Sequence, residues 1–297
     1  MTLATATEQA RPRKLKRSGV IAALGLVPFG VYTFLFLGLP ALAVVIGAFQ
    51  SPDGGWTFSN ISIASRGVYA HGFETTIELA LMTSIVPGLA GVVIANAVLT
   101  MKRGSALRRI VSTASGVFAN FGGVPLAFLF IASLGTTGIV TNWFNSAGLH
   151  IYEHGFTIYK LTGVAIVYAY FQIPLMILVI TPALEGLRQS WREAATGLGA
   201  RGWQYWRYVG GPVLFPSFLG GVLLLFGSAL SAYATADALT SGSIALTSIQ
   251  IGSFLNGNVL AGQQNVGKAL GLGLIVVIAV VMVFYSLLQR RASRWLR

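Results

Sequence analysis

Glu193-Ala194-Ala195-Thr196-Gly197-Leu198-Gly199-Ala200, continuing through Arg201 to Pro212, is a charged, glycine-containing, tryptophan-bearing stretch between two apolar runs of membrane length. It stands out because charge is scarce elsewhere. The chain is 55% hydrophobic and 9% charged, whereas a soluble domain carries about 25% charged residues. No soluble core could hide that much apolar sequence, so the bilayer is the solvent for most of the chain. A polar segment with two tryptophans and two tyrosines, held between membrane spans, reads as a docking element rather than a solvated connector.

Working outward, six apolar runs reach the ~20 residues that a helix needs to cross ~30 Å of hydrocarbon. They cover about 20–49, 73–99, 110–134, 161–184, 213–236 and 269–288. The expected organisation is a basic tail at 1–19, a six-helix transmembrane unit at 20–288 with the 185–212 segment inside it, and a basic tail at 289–297. The first run is too long for the apolar region of a signal peptide, and no small-residue cleavage site closes it, so it reads as a retained helix. Pro28 and Pro40 are expected to kink it. Gly122-Gly123-Val124-Pro125 is expected to break the third span. Pro52-Asp53-Gly54-Gly55 marks a turn. The 36 glycines suit close helix packing in lipid. Cysteine is absent, which excludes disulfides, thiol nucleophiles and Cys-ligated metals.

The positive charges test the span count. Six spans put both termini on one side. Seventeen of the 20 Lys and Arg then fall on that side, in the two tails, at 102–109 and at 188–207. Only Arg66, Lys160 and Lys268 fall on the other. A missed or invented span would scramble this partition. Cytoplasmic loops carry the excess of Lys and Arg, which predicts cytoplasmic termini and a cytoplasmic 185–212 segment. The net charge of +12 then needs no nucleic acid: it faces anionic membrane lipid and a cytoplasmic partner.

Within the central segment, Ser190 has the spacing of an N-cap, with Glu193 three residues later completing a capping box. Trp191 to Leu198 then forms about two helical turns, and Gly199 supplies a left-handed cap. Trp203 to Val209 reads as a second short amphipathic piece with interfacial aromatics. Gly210, Gly211, Pro212 and Pro216 are expected to turn the chain back into the bilayer.

The spacing of Glu193, Ala194, Ala195, Gly199, Val209 and Pro212 resembles the EAA loop of permease subunits of bacterial ABC importers. One position departs from that pattern: Gly211 stands where Leu is usual. The resemblance extends over most of the chain and implies an all-α, six-helix type I importer fold. It also implies an inner-membrane location, a second permease alongside, a cytoplasmic ABC ATPase dimer below and an extracytoplasmic solute-binding protein. ATP and magnesium would then belong to the ATPase, with no cofactor or metal in this chain and no bond chemistry of its own. The six motif residues would form the ATPase-coupling element. The stretch from Ser231 through Asp237 to Ser243 is similar to permeases for spermidine and putrescine, which implies a polyamine as solute. Related permeases for ferric iron, thiamine, phosphonates, sulfate and molybdate share the architecture and remain alternatives. So does a stand-alone channel or carrier.

Polar residues within or near the spans are candidates for a translocation path: Glu74, Glu78, Asn120, Gln172, Ser228 and Asp237. Glu74 and Glu78 share one helix face, and acids near membrane depth often line a pathway. Interfacial acids in water, and hydrogen bonds between helices, are the ordinary alternatives. Two other motifs carry less. Gly262 to Ala269 has P-loop spacing, but Ala269 replaces the magnesium-binding Ser or Thr, and no strand precedes it. His150, Glu153 and His154 match the H-x-x-E-H arrangement of some zinc peptidases. A zinc site would need a further ligand and a cleft, so a solvated helix turn is the expectation.

Overall fold

A computed structural model describes residues 26–102, 104–257 and 263–293. The amino-terminal tail, the start of the first span and the last four residues lie outside these, as does Gly262 of the P-loop-like stretch.

The described chain is helical, with one isolated antiparallel bridge between Gln50 and Trp56. In chain order the helices are α1 (Leu26–Ala48), α2 (Ser59–Ala64), α3 (Gly67–Leu99), α4 (Ala106–Phe118), α5 (Gly123–Leu134), α6 (Ile139–Ser146), α7 (Leu161–Glu185), α8 (Gln189–Gly197), α9 (Gly202–Ser231), α10 (Tyr233–Thr240), α11 (Thr247–Leu255) and α12 (Val266–Ser293). Six stretches among the described residues are long and apolar enough to cross a membrane, the third by length and composition being Gly123–Ser146.

Packing locates that third crossing differently. Near the start of α4, Arg108 pairs with Glu185 at the end of α7. At its other end, Phe118 lies 5.3 Å from Tyr170, and Phe130 of α5 lies 5.7 Å from the same ring. Leu126 and Ala127 share a buried core with Val164 and Tyr168. Together α4 and α5 therefore run antiparallel to α7 along its length. The broken span at 110–134 is the crossing, and α6 lies beyond it.

The most extensive interface is α3 against α7. It is close because small residues recur along α3. Ser84, Gly88, Gly91 and Ala95 are all buried, and this spacing lets backbones approach in lipid. A Cβ on Gly91 would stand 2.6 Å from Met176 Cβ and 3.0 Å from Ile173 O. Across the same side chain, a Cβ on Gly221 of α9 would meet Met176 Sδ at 2.6 Å. Met176 is thus wedged between glycines of α3 and α9.

Charge sorts with helix direction. Arg66, Lys160 and Lys268 sit at the starts of α3, α7 and α12, one end of the bundle. Lys102, Arg108, Arg109 and the 188–207 arginines sit at the other, here termed the basic end.

Several boundaries differ from the sequence expectation. In α1 the helix is continuous and carries a π turn at Phe34–Gly38 just before Pro40. There the amide of Leu39 donates to Phe34 O, five residues back. The second span begins at Gly67 rather than 73. The polar loops at 135–159 and 237–268 hold α6, the end of α10 and α11. The fifth helix stops at Ser231 because Ala232 leaves helical geometry (φ −78°, ψ 62°). Tyr168 donates its hydroxyl to Ala232 O at 2.5 Å, which satisfies a carbonyl that the break exposes.

Candidate docking segment at the basic end

The 185–212 segment holds the short helix α8 and the first turns of α9. Helix α8 starts earlier than the capping-box reading requires. The N-cap is Arg188, in extended conformation and with no side-chain cap, and Ser190 is already inside the helix. Gln189 at the first helical position sits one turn before Glu193 and donates Nε2 to its Oε1 at 2.9 Å. This (i, i+4) bond takes the place of the expected box.

The far end closes as glycine chemistry demands. Gly199 has φ +78°, a left-handed conformation that costs a residue with Cβ roughly 1–2 kcal/mol. Its amide donates to Thr196 O at 2.9 Å, and Ala200 N donates to Ala195 O at 2.9 Å. That pair of bonds is a Schellman cap. Arg201 follows directly as the N-cap of α9, its amide bonded to Gln204 Oε1 at 2.6 Å. Four residues, 198–201, thus join two helices with all four amides bonded.

Contrary to expectation, the chain does not turn at Gly210–Pro216. It runs as one helix from Gly202 into the fifth span. The accommodation is a π turn at Trp206–Gly210, in which the amide of Gly211 donates to Trp206 O. A Cβ at 211 would stand 2.5 Å from that oxygen. A Leu at 211 would therefore need this particular turn to shift. Gly210 is buried against the Trp206 ring, at 2.9 Å from its would-be Cβ. Val209 lies half-buried within the turn, and Pro212 follows it at the start of the regular helix, where a missing N–H is tolerated.

Both flanks rest on one core. Leu184 and Leu214 are buried with Ala95, Met176, Ile177, Ile180 and Leu225, and Leu187 and Trp206 pack against that cluster. The helix between them has no buried residue. Gln189, Arg192, Glu193, Thr196 and Gly197 recur at helical spacing and face a cavity of about 770 Å³ beneath the bundle. Trp191, Ala194, Ala195 and Leu198 fall on the opposite side. Leu198 is 88% exposed and Trp191 36%. An apolar, small-residue face on a rigid helix is thus left uncovered by the chain's own atoms.

Residues 87–297 match the family model described as binding-protein-dependent transport system inner membrane component. The chain belongs to this family. Among its relatives is the sulfate transport system permease protein CysW of Synechocystis sp., 24% identical over 290 residues, covering 95% of this chain and 96% of that protein. The thiamine transport system permease protein ThiP of Salmonella typhimurium is 26% identical, covering 56% of this chain and 30% of that longer protein. The fold matches a chain from a bacterial ABC transporter that imports the acidic polysaccharide alginate, with a TM-score of 0.72 and 19% identity, covering 94% and 98% of the two chains. The chain is therefore an inner-membrane, multi-pass permease subunit of type I importer fold. Its family's task is transport rather than bond chemistry.

The polar residues singled out for a path fall in three places. Glu74 and Glu78 are exposed on α3, and Glu74 lies 3.5 Å from His71. With Gly91 beside Met176, the parallel register puts Glu78 about level with the start of α7, so both acids sit at the end opposite the basic one. Gln172 is fully buried and donates Nε2 to Leu225 O at 2.9 Å, a cross-link from α7 to α9. Asn120, Ser228 and Asp237 each lie within about a turn or two of a helix break, at 119–122 or at Ala232. Asn120 is exposed in the gap between α4 and α5 and donates to Gly116 O. Ser228 precedes the Ala232 break by one turn. Asp237 accepts from Tyr233 OH at 3.2 Å.

These breaks are tied together by a residue that sequence reading did not single out as functional. Thr235 Oγ1 accepts from Gly123 N at 2.8 Å and donates to Gly123 O at 3.3 Å. Non-helical backbone at membrane depth persists only where it is buried in protein or lines a wet cavity. Thr235→Val strands the Gly123 amide and is expected to destabilise the chain by about 1–3 kcal/mol. Thr240→Val removes a bond only to its own helix, at Ala236 O, and is expected to cost less. Thermal melting of the two detergent-purified variants compares them; equal shifts would remove the cross-link from the account.

Among the described residues no group of three or more His, Asp or Glu could hold a metal. His150, Glu153 and His154 lie in an exposed turn in which the amides of Glu153 and His154 donate to His150 O, as expected of a solvated helix turn, with His154 Nδ1 2.9 Å from the same oxygen. The described part of the P-loop-like stretch is the entry to α12.

Proposed function

We propose that this permease works as one of a pair in an ATP-driven importer, with α8 as the element gripped by a cytoplasmic ABC ATPase dimer. The observation that carries the reading is the face of exposed Trp191, Ala194 and Leu198 with half-buried Ala195, on a helix fixed at both ends to one core cluster. A helix so anchored moves as a rigid body with α7 and α9. The sorting of Lys and Arg supports cytoplasmic placement for this segment and for both termini.

In this reading, ATP and magnesium act on the ATPase. Closure of its dimer shifts α8, and the paired permeases open outward, where an extracytoplasmic binding protein releases its solute. Hydrolysis restores the inward-facing state. The six residues Glu193, Ala194, Ala195, Gly199, Val209 and Pro212 have distinct parts. The two alanines form the docking face. Gly199 caps the helix, while Val209 and Pro212 belong to the π turn and the helix start that carry its motion into α9. Glu193 lies on the cavity side and is tethered by Gln189.

The relatives named above transport sulfate and thiamine, which favours a small oxyanion of the sulfate class over a polyamine, with thiamine as the second reading. Reconstituted transporter with its ATPase and binding protein should accumulate radiolabelled sulfate in an ATP-dependent way. Uptake of thiamine without sulfate would select the second reading, and uptake of putrescine alone would restore the polyamine.

A further inference from the structure

The cavity between α8 and the ends of α3 and α7 has a composition that docking does not use. Its deeper wall is apolar, from Leu99, Leu184, Leu187 and Trp206. Its rim is cationic and rich in donors, with Arg108, Arg188 and Arg192 beside Asn96 and Thr100. The two carboxylates that line it are engaged: Glu185 pairs with Arg108 at 2.5 Å, and Glu193 accepts from Gln189. Among the described residues, neither Arg188 nor Arg192 has a carboxylate within 4.0 Å. Arg188, the N-cap of α8, lines the cavity at its border with the docking face, its guanidinium carbon 5.8 Å from the Trp191 ring centroid. Exposed Trp203 and Tyr208 at the same end of the bundle mark the membrane–water boundary.

Two guanidiniums without a carboxylate partner suit an oxyanion, and beside an apolar wall at headgroup depth the oxyanion at hand is a phosphate. We infer that this cavity binds a phosphate-bearing ligand, with the phosphate on Arg188 and Arg192. Guanidinium forks bind phosphate oxygens in pairs. The ligand can come from the bilayer, as an anionic phospholipid whose glycerol and upper acyl carbons rest on Leu99 and Leu184, or from solution as free phosphate. The site is lined by residues of this chain alone. Because α8 forms one wall, an occupant braces that helix against α3 and α7.

The test uses the full chain, in its transporter complex, held in neutral phosphatidylcholine nanodiscs. Phosphatidylglycerol in one arm and inorganic phosphate in the other are titrated, and retained ligand is read by native mass spectrometry. An Arg188→Ala/Arg192→Ala variant is compared with Arg201→Ala/Arg207→Ala, which removes equal charge outside the cavity. The cavity pair is expected to weaken phosphatidylglycerol binding by roughly tenfold or more, and the outside pair by much less. Loss confined to the phosphate arm would keep the site and assign it a soluble ligand. Equal binding by the two variants in both arms would overturn the proposal. All four arginines are exposed, and matched melting temperatures would confirm that both variants fold.

Discussion

Gly199→Val is expected to abolish uptake while the chain still inserts in the membrane at normal levels. The reason lies in the backbone. At φ +78° a β-branched residue is a genuine outlier, and the cost is about 2 kcal/mol or more. Space is not the issue, because a Cβ there would meet nothing within 4 Å. Without the cap, the amides of Gly199 and Ala200 lose their partners, and a nine-residue helix has little stability of its own. The docking face then loses its fixed orientation, though the spans on either side keep their packing. Gly199→Asn should retain much of the transport, since Asn tolerates the left-handed region. Glu193→Lys is expected to fail as well, because it removes the Gln189 bond and places a fourth cation at the cavity. Normal sulfate or thiamine uptake by both Gly199→Val and Glu193→Lys would defeat this part of the account.

Gly91→Leu is expected to do something different: remove the folded protein. The new side chain must enter space held by Met176 and the Ile173 carbonyl, and neither α3 nor α7 can retreat without opening their shared core. Overpacking of this kind costs about 1–3 kcal/mol or more, and here the obstruction includes backbone. Gly227→Leu provides the comparison, because a Cβ on that helical glycine would meet nothing within 4 Å. Fluorescence-detected size exclusion of tagged, detergent-solubilised chain should show a monodisperse peak for Gly227→Leu and an aggregated or absent one for Gly91→Leu. Two similar peaks would mean that the close approach of α3 and α7 does not govern stability.

The six crossings were legible because composition and charge sorting are long-range signals that no single residue controls. The break in the third span was legible too, because Gly122-Gly123-Val124-Pro125 combines backbone freedom with a missing donor. Gly199 was readable for the same local reason. What failed were features set by tertiary partners. Gly210, Gly211 and Pro212 look like a turn, yet packing of Trp206 on Gly210 and the π turn at Gly211 convert them into continuous helix. Ser190 has good cap chemistry, but the chain enters the helix earlier, where Gln189 can reach Glu193. The end of α9 at Ser231 is met by Tyr168, which bonds Ala232 O from 64 residues away, and no local pattern announces it. Among the path candidates, the sequence could not distinguish buried Gln172 from exposed Asn120. Apolar neighbours surround both in the chain, and only the helix breaks separate their environments.

The absence of cysteine makes the decisive measurement direct. A Leu198→Cys variant carries a single thiol at the most exposed point of the proposed docking face. Treated with a membrane-impermeant maleimide, it should label in inverted membrane vesicles but not in intact cells. Addition of the purified ATPase subunit should protect it. Labelling in intact cells, or full reactivity in vesicles despite bound ATPase, would contradict the claim that α8 is a cytoplasmic helix gripped by a separate motor.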